Sequence, residues 1–185
     1  MKLIIQTVFS VIIIHGYTNT FADMHLTSPA FKHLSHSQNP AEKYSPQESD
    51  ASSFIPVRYT CKGLDVSPEL IIDGVPGNAK SLALIMDDPD APVGTFVHWV
   101  VWNIPPDTKK LTTGQVPPGY QGMTDFRKRG YGGPCPPSGI HRYYFKLYAL
   151  DSSLHLSPDS TKNDLEQVMQ GHITDFVNLI GLFKK

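Results

Sequence analysis

Three stretches concentrate side chains that can hold charge or move protons. The first is Asp87-Asp88-Pro89-Asp90-Ala91-Pro92. Three carboxylates this close repel one another, so at least one must be paired or hydrogen-bonded. The prolines fix the path of the loop. An EF-hand calcium site is excluded, because its spaced ligands and terminal Glu do not follow. The second stretch is Phe96-Val97-His98-Trp99-Val100-Val101-Trp102-Asn103. On a regular strand His98 shares a face with Phe96, Val100 and Trp102, which places an imidazole on an apolar surface. It is either a core histidine held by one hydrogen bond or part of a site. The third runs from Tyr131 through Gly132, Gly133, Pro134, Cys135, Pro136, Pro137, Ser138 and Gly139 to His141, Arg142 and Tyr143. Free amides and cations on a proline-restricted loop suit a small anion. The alternative is a stiff connection with a surface arginine.

The same residues admit an enzyme reading. Asp88, His98 and His141 have the chemistry of a two-histidine, one-carboxylate metal site. Cys135 or Ser138 is a candidate nucleophile near His141. Against this, no Gly-x-Ser-x-Gly elbow occurs, and a disulfide at Cys135 removes its thiolate. His33 and His36 have a metal-compatible spacing but no accompanying ligands, and they read as part of a polar loop.

Positioning these residues requires a β framework. Short strands are expected at 54–59 and 69–72, with a fully buried one at 81–86. Richer strand patterns follow at 95–104 and 142–150, and the tail from 173 to 183 reads as a strand. A short edge strand is expected within 23–30. One helix is expected from Thr161, where Asp164 completes a capping box, Leu165, Val168 and Met169 form the apolar face, and Gly171 closes it. Residues 32–53 are polar and read as a solvated loop, with a helical turn near 40–43. The fold class is mostly β, in one domain over 23–185.

Composition agrees. The 185 residues include 16 prolines, too many for a helical bundle, and 40% hydrophobic residues, too many for a disordered chain. A net charge of −1 supplies no field for a polyanion, so no nucleic-acid partner is expected. Lys109-Lys110 and Arg127-Lys128-Arg129 read as solvated loops, the latter placed to steer anions toward the Gly/Pro-rich loop.

Residues 1–22 have the shape of a secretory signal peptide: Lys2, an apolar run from Leu3 to Ile14, and small residues ending at Ala22. The run is shorter than the ~20 residues of a membrane-spanning helix. A periplasmic or secreted location is therefore expected, with no transmembrane segment after cleavage. In an oxidising compartment Cys61 and Cys135 are each other's only intramolecular partner. They form one bridge or remain two buried thiols.

Taken in order, these motifs resemble a known family. Asp-Pro-Asp-Ala-Pro at 88–92, His98 on an apolar strand, and Gly-Pro-Cys-Pro-Pro-x-Gly-x-His-Arg-Tyr at 133–143 look like the phosphatidylethanolamine-binding protein family. Tyr59 to Pro68, Gly171-His172-Ile173 and Leu179-Ile180-Gly181 further resemble its prokaryotic, Raf-kinase-inhibitor-like branch. The resemblance implies two antiparallel β-sheets with a few short helices. It also implies a small pocket for phosphate-like or carboxylate anions, built from Asp88, Asp90, Pro92, His98, Gly133, Pro134, His141 and Tyr143. Asp88 then orients an imidazole rather than touching the anion. The implied role is non-enzymatic binding or inhibition, without cofactor or metal. The partner is a small anion, a phospholipid headgroup, a phosphorylated protein, or a kinase or protease. Residues 32–53 look like an insertion relative to the family. The chain also ends where prokaryotic members do, without a further C-terminal helix, which argues against phospholipid-sized ligands.

Overall fold

The computed structural model describes residues 23–33 and 53–185. The signal-peptide segment, His36, the turn at 40–43 and most of the polar loop lie outside the described residues. Ten strands are present in the described residues: β1 (His25–Thr27), β2 (Lys32–His33), β3 (Ser53–Phe54), β4 (Leu70–Asp73), β5 (Ser81–Asp88), β6 (Phe96–Ile104), β7 (Lys110–Leu111), β8 (Tyr120–Gln121), β9 (Ile140–Leu150) and β10 (Ile173–Lys184). One α-helix, α1 (Lys162–Met169), and one 3-10 turn, Val57–Tyr59, complete the set where a few short helices were expected. No helix among the described residues is long and apolar enough to cross a membrane.

The strands form two sheets, a small one in the order β1-β4-β7 and a large one in the order β2-β3-β10-β9-β5-β6-β8. Every neighbouring pair is antiparallel except β3 against β10, which run parallel at Ser53–Phe54 and Gly181–Leu182. Strand β5 is buried at every position because both faces of the large sheet are covered. Its alternation divides the core. Leu82, Leu84 and Met86 face a cluster with Leu26, Leu70, Ile72 and Leu111 of the small sheet. Ala83 and Ile85 face the other way, toward Leu165 and Met169 of α1. Three layers result: small sheet, large sheet, helix.

Local chemistry explains where the elements stop. The strand expected at 54–59 ends at Phe54. Pro56 has no N–H to give a ladder, and the chain turns instead, with Tyr59 N–H donating to Pro56 O. Helix α1 begins on the expected capping box, Thr161 and Asp164 each satisfying the other's backbone. Its buried face is Leu165 and Met169 alone; Val168, expected beside them, is exposed. Gly171, at φ 81°, reverses the chain into β10.

Cys61 and Cys135 form a disulfide with a Cα separation of 5.4 Å across 74 positions. In the chain-entropy model, closing a loop of that length stabilises by about 4 kcal/mol.

The candidate anion pocket

Antiparallel pairing of β5 with β9, from Ser81↔Leu150 to Asp87↔Tyr144, carries the acidic loop at the end of β5 to the start of β9. Asp87 and Asp88 are adjacent and both buried, yet they serve opposite faces of the sheet. Asp87 takes Lys146 and Lys162 on the helix side. Asp88 points to the other side, where its Oδ2 accepts from His141 Nδ1 at 2.7 Å and its Oδ1 from the Asp90 amide at 2.8 Å. One carboxylate thus orients an imidazole and caps its own loop.

His98 reaches the same face through an irregularity. Met86 pairs with Trp99 and Asp87 with Val97, so His98 is an extra residue with no partner on β5. This is a β-bulge. It breaks the expected alternation: Val97, Val100 and Trp102 pack toward α1, while Trp99 and Val101 pack toward the small sheet. His98 therefore does not share a face with Val100 and Trp102. Its neighbours are the rings of Phe96, Phe126 and Tyr143, each with its centroid 5.2 Å away and set edgewise.

His98 Nδ1 lies 2.7 Å from the Gly132 carbonyl, which accepts but cannot donate, so Nδ1 carries a proton. Burial lowers the His98 pKa from 6.5, against the opposing pull of the Gly132 carbonyl and the Asp88 charge. Neutral His98 consequently offers Nε2 as an acceptor; protonation converts Nε2 into a charged donor. His141, buried at the start of β9, likewise commits Nδ1, in this case to Asp88. Each imidazole keeps Nε2 for other contacts. The Tyr143 hydroxyl is fully buried and has no hydrogen-bond partner among the described residues. Burial raises its pKa and the Asp88 charge adds to this; the Asp88 carboxylate and the Cys135 backbone are the polar groups nearest the hydroxyl, neither meeting it in good hydrogen-bond geometry.

Asp88 and His98 are the polar lining residues of a cavity of about 170 Å³. Its walls are Ala91, Pro92, Val93, Phe96, Phe126, Cys135, Pro136 and Pro137. The volume suits a headgroup-sized anion and falls below that of sites for whole drug-sized ligands. A roomier cavity of about 310 Å³ lies between Val97, Thr124 and Lys162, on the face away from His98. We place the site in the smaller one, which His98 and Asp88 line and against whose lining His141 and Tyr143 pack.

The residues named from sequence divide by position. Asp88, Pro92 and His98 line the cavity; His141 and Tyr143 contact its lining. Asp90 does not line it. Its carboxylate grips Arg142, with Nε to Oδ2 at 2.8 Å and Nη2 to Oδ1 at 2.6 Å, and the guanidinium holds its pKa down to about 2. That pair pins the acidic loop to β9. Gly133 and Pro134 are buried supports of the second loop. Gly133 N–H donates to Asp65 Oδ1, and a Cβ there would lie 2.5 Å from Tyr59 O. Pro134 O accepts from Cys61 N–H. Asp88, His98 and His141 do not form a three-ligand cluster: no group of three metal-ligating side chains converges among the described residues. Cys135, being bridged, holds no thiolate.

Phe126 escaped the sequence reading. It sits on a turn closed by Arg127 N–H to Thr124 O and Thr124 N–H to Lys128 O, and its ring lies against Gly132, where a Cβ would collide with it. Lys128 and Arg129 of the same turn pair with Asp65 and Asp159.

Comparison with known proteins places this architecture. A UPF0098 protein of Methanothermobacter thermautotrophicus is 53% identical over 137 residues, covering 71% of this chain and 91% of that protein. A UPF0098 protein of Pyrococcus abyssi is 49% identical over 142 residues, covering 71% and 79%. The crystal structure of a putative phosphatidylethanolamine-binding protein homolog from Chlamydia trachomatis superposes with a TM-score of 0.76 at 37% identity, covering 89% of this chain and 99% of that one. Escherichia coli YbcL, described as a new member of the mammalian PEBP family, gives 0.72 at 26% identity with the same coverage. The phosphatidylethanolamine-binding protein family model matches residues 45–184, and the chain belongs to that family.

Proposed function

We propose that this chain is a non-enzymatic binding or inhibitory protein whose cavity takes a small phosphate-like or carboxylate group. The carrying observation is the pair of histidines with Nδ1 committed and Nε2 left over, His98 to Gly132 O and His141 to Asp88. An anion supplies the acceptor that protonated Nε2 atoms and the Tyr143 hydroxyl lack. The anion is borne by a free metabolite, a lipid headgroup or a phosphorylated protein, and an inhibited kinase or protease is the macromolecular form of the same reading. The oxidised cysteine pair supports a periplasmic or secreted location.

Because burial keeps His98 neutral near pH 7, anion binding at its Nε2 draws in a proton. Affinity for inorganic phosphate then falls by up to about tenfold per pH unit on the alkaline side of the His98 pKa. Titration calorimetry with phosphate, phosphoethanolamine and acetate between about pH 5 and about pH 8 tests this, alongside His98→Ala and His141→Ala. Binding that neither variant weakens, or no binding of any of the three, overturns the reading.

A further inference from the structure

The disulfide belongs to the pocket as much as to the fold. Cys135 lines the cavity together with Pro136 and Pro137. The half of the loop before Cys135 is densely tied. Gly132 N–H donates to His98 O, Gly132 O accepts from His98 Nδ1, Gly133 N–H donates to Asp65, and Pro134 O accepts from Cys61 N–H. Tyr131 adds a hydrogen bond from its hydroxyl to Tyr59 O. The half after Cys135 is not. Pro136 and Pro137 have no N–H, and the next anchor is Gly139 O, accepting from Lys185 N–H. Among the described residues no hydrogen bond holds 136–138. The Cys61–Cys135 bridge is the tie that fixes this stretch of wall.

The other end of the bridge is stiff. Cys61 sits on a turn closed by Thr60 N–H and Thr60 Oγ1 to Val57 O, Gly63 N–H to Thr60 O, and Leu64 N–H to Arg58 O. Both cysteines are exposed, so a small reductant reaches the sulfurs without unfolding the chain.

We propose that the Cys61–Cys135 disulfide is a redox control on ligand affinity: oxidised, it locks the Cys135–Pro137 wall closed; reduced, it frees the wall and weakens binding. The proposal rests on the anion-pocket reading above. In the reducing step a dithiol gives two electrons and two protons. The Cys61–Cys135 S–S bond breaks, two protein thiols form, and the dithiol closes into its own cyclic disulfide. The ligand then binds only the fraction of molecules whose wall is in place. A wall in place about one-tenth of the time costs about tenfold in apparent affinity.

The test is calorimetry of inorganic phosphate with the full chain, oxidised and then reduced by dithiothreitol, with circular dichroism confirming that the fold persists. Cys61→Ser, which opens the bridge but leaves Cys135 in the wall, is compared without reductant. Backbone NMR order parameters at Ser138 and Gly139 report the wall independently of any ligand. Expected is about tenfold weaker phosphate binding by reduced protein and by Cys61→Ser, with order parameters at those two amides lowered and those of β5 unchanged. Equal affinity in oxidised, reduced and Cys61→Ser protein overturns the redox control and leaves the pocket standing. Unchanged order parameters at 138 and 139 overturn it as well, even should Cys61→Ser fail to fold, since reduced wild-type protein gives the same readout. Absence of phosphate binding by the oxidised protein overturns the pocket and the control together.

Discussion

Tyr143→Phe separates a binding group from a structural one. The Tyr143 side chain is fully buried, and its hydroxyl has no hydrogen-bond partner among the described residues. Leaving a buried polar group unsatisfied costs about 1–3 kcal/mol. Deleting the oxygen while keeping the ring preserves the edgewise contact with His98 and relieves that cost. The variant should therefore be more stable by about 1 kcal/mol, the lower end, because relaxation recovers part of the penalty in the wild type. For a chain of this size that is a rise of about 2–4 °C in Tm. On the proposed anion reading the same deletion also removes a donor to a charged ligand, which is worth about 1.5–3 kcal/mol. Phosphate affinity should accordingly drop by at least about tenfold. Thermal unfolding and calorimetry on one preparation give both numbers. A variant that is less stable and binds phosphate as well as the wild type would show the hydroxyl to be a satisfied core group, and would refute the argument.

Other outcomes follow from the same geometry. The pKa of His98 is lowered in the fold, so between that value and 6.5 the unfolded chain binds more protons than the native one. Stability is then complete above about pH 6.5 and declines as pH falls through that window, with a slope approaching about 1.4 kcal/mol per unit. His98→Gln should remove that slope, as read by urea unfolding across the range; an unchanged slope assigns it elsewhere. Gly133→Ala drives a methyl against Tyr59 O and Asp65, and should cost about 2 kcal/mol or more while lowering phosphate affinity. Lys162→Met takes one of two cations from buried Asp87, whose Oδ1 already lacks a partner. It should destabilise by about 1–3 kcal/mol without changing phosphate affinity, because Asp87 faces α1 rather than the cavity.

Much of the framework was legible because its signals are local. Continuous burial of 81–86, aromatic alternation in 142–150 and the Thr161–Asp164 box all act within a few residues, and the corresponding elements formed. The strand expected at 54–59 stops short because Pro56 lacks the N–H a ladder needs. The candidate residues were legible as a set but not by role. Asp90 meets Arg142 across 52 positions, and nothing in either local sequence announces the pair. Gly133 and Pro134 entered the candidate set through the family motif, and their part in holding the loop down, through Asp65 and Cys61, is not visible in the sequence. Phe126 enters the wall from a turn whose sequence is dominated by charge. The bulge at His98 was beyond a period-two rule, which counts positions on one strand and cannot see that β5 has no residue opposite.

That bulge makes β6 read like a text with one inserted letter. Substituting His98 changes the letter and keeps the frame. Deleting it lets Val97 and Trp99 follow one another in plain alternation, so every apolar residue through Trp102 keeps its face, while the imidazole and the carbonyl that accepts from Gly132 N–H are lost. Adding a residue within 99–102 has the opposite consequence, turning the apolar residues beyond it to the wrong layer. The site is thus a place in its strand where length can vary without harming the core, as is the second irregularity where Leu82 and Leu84 face Ile104 and Val101.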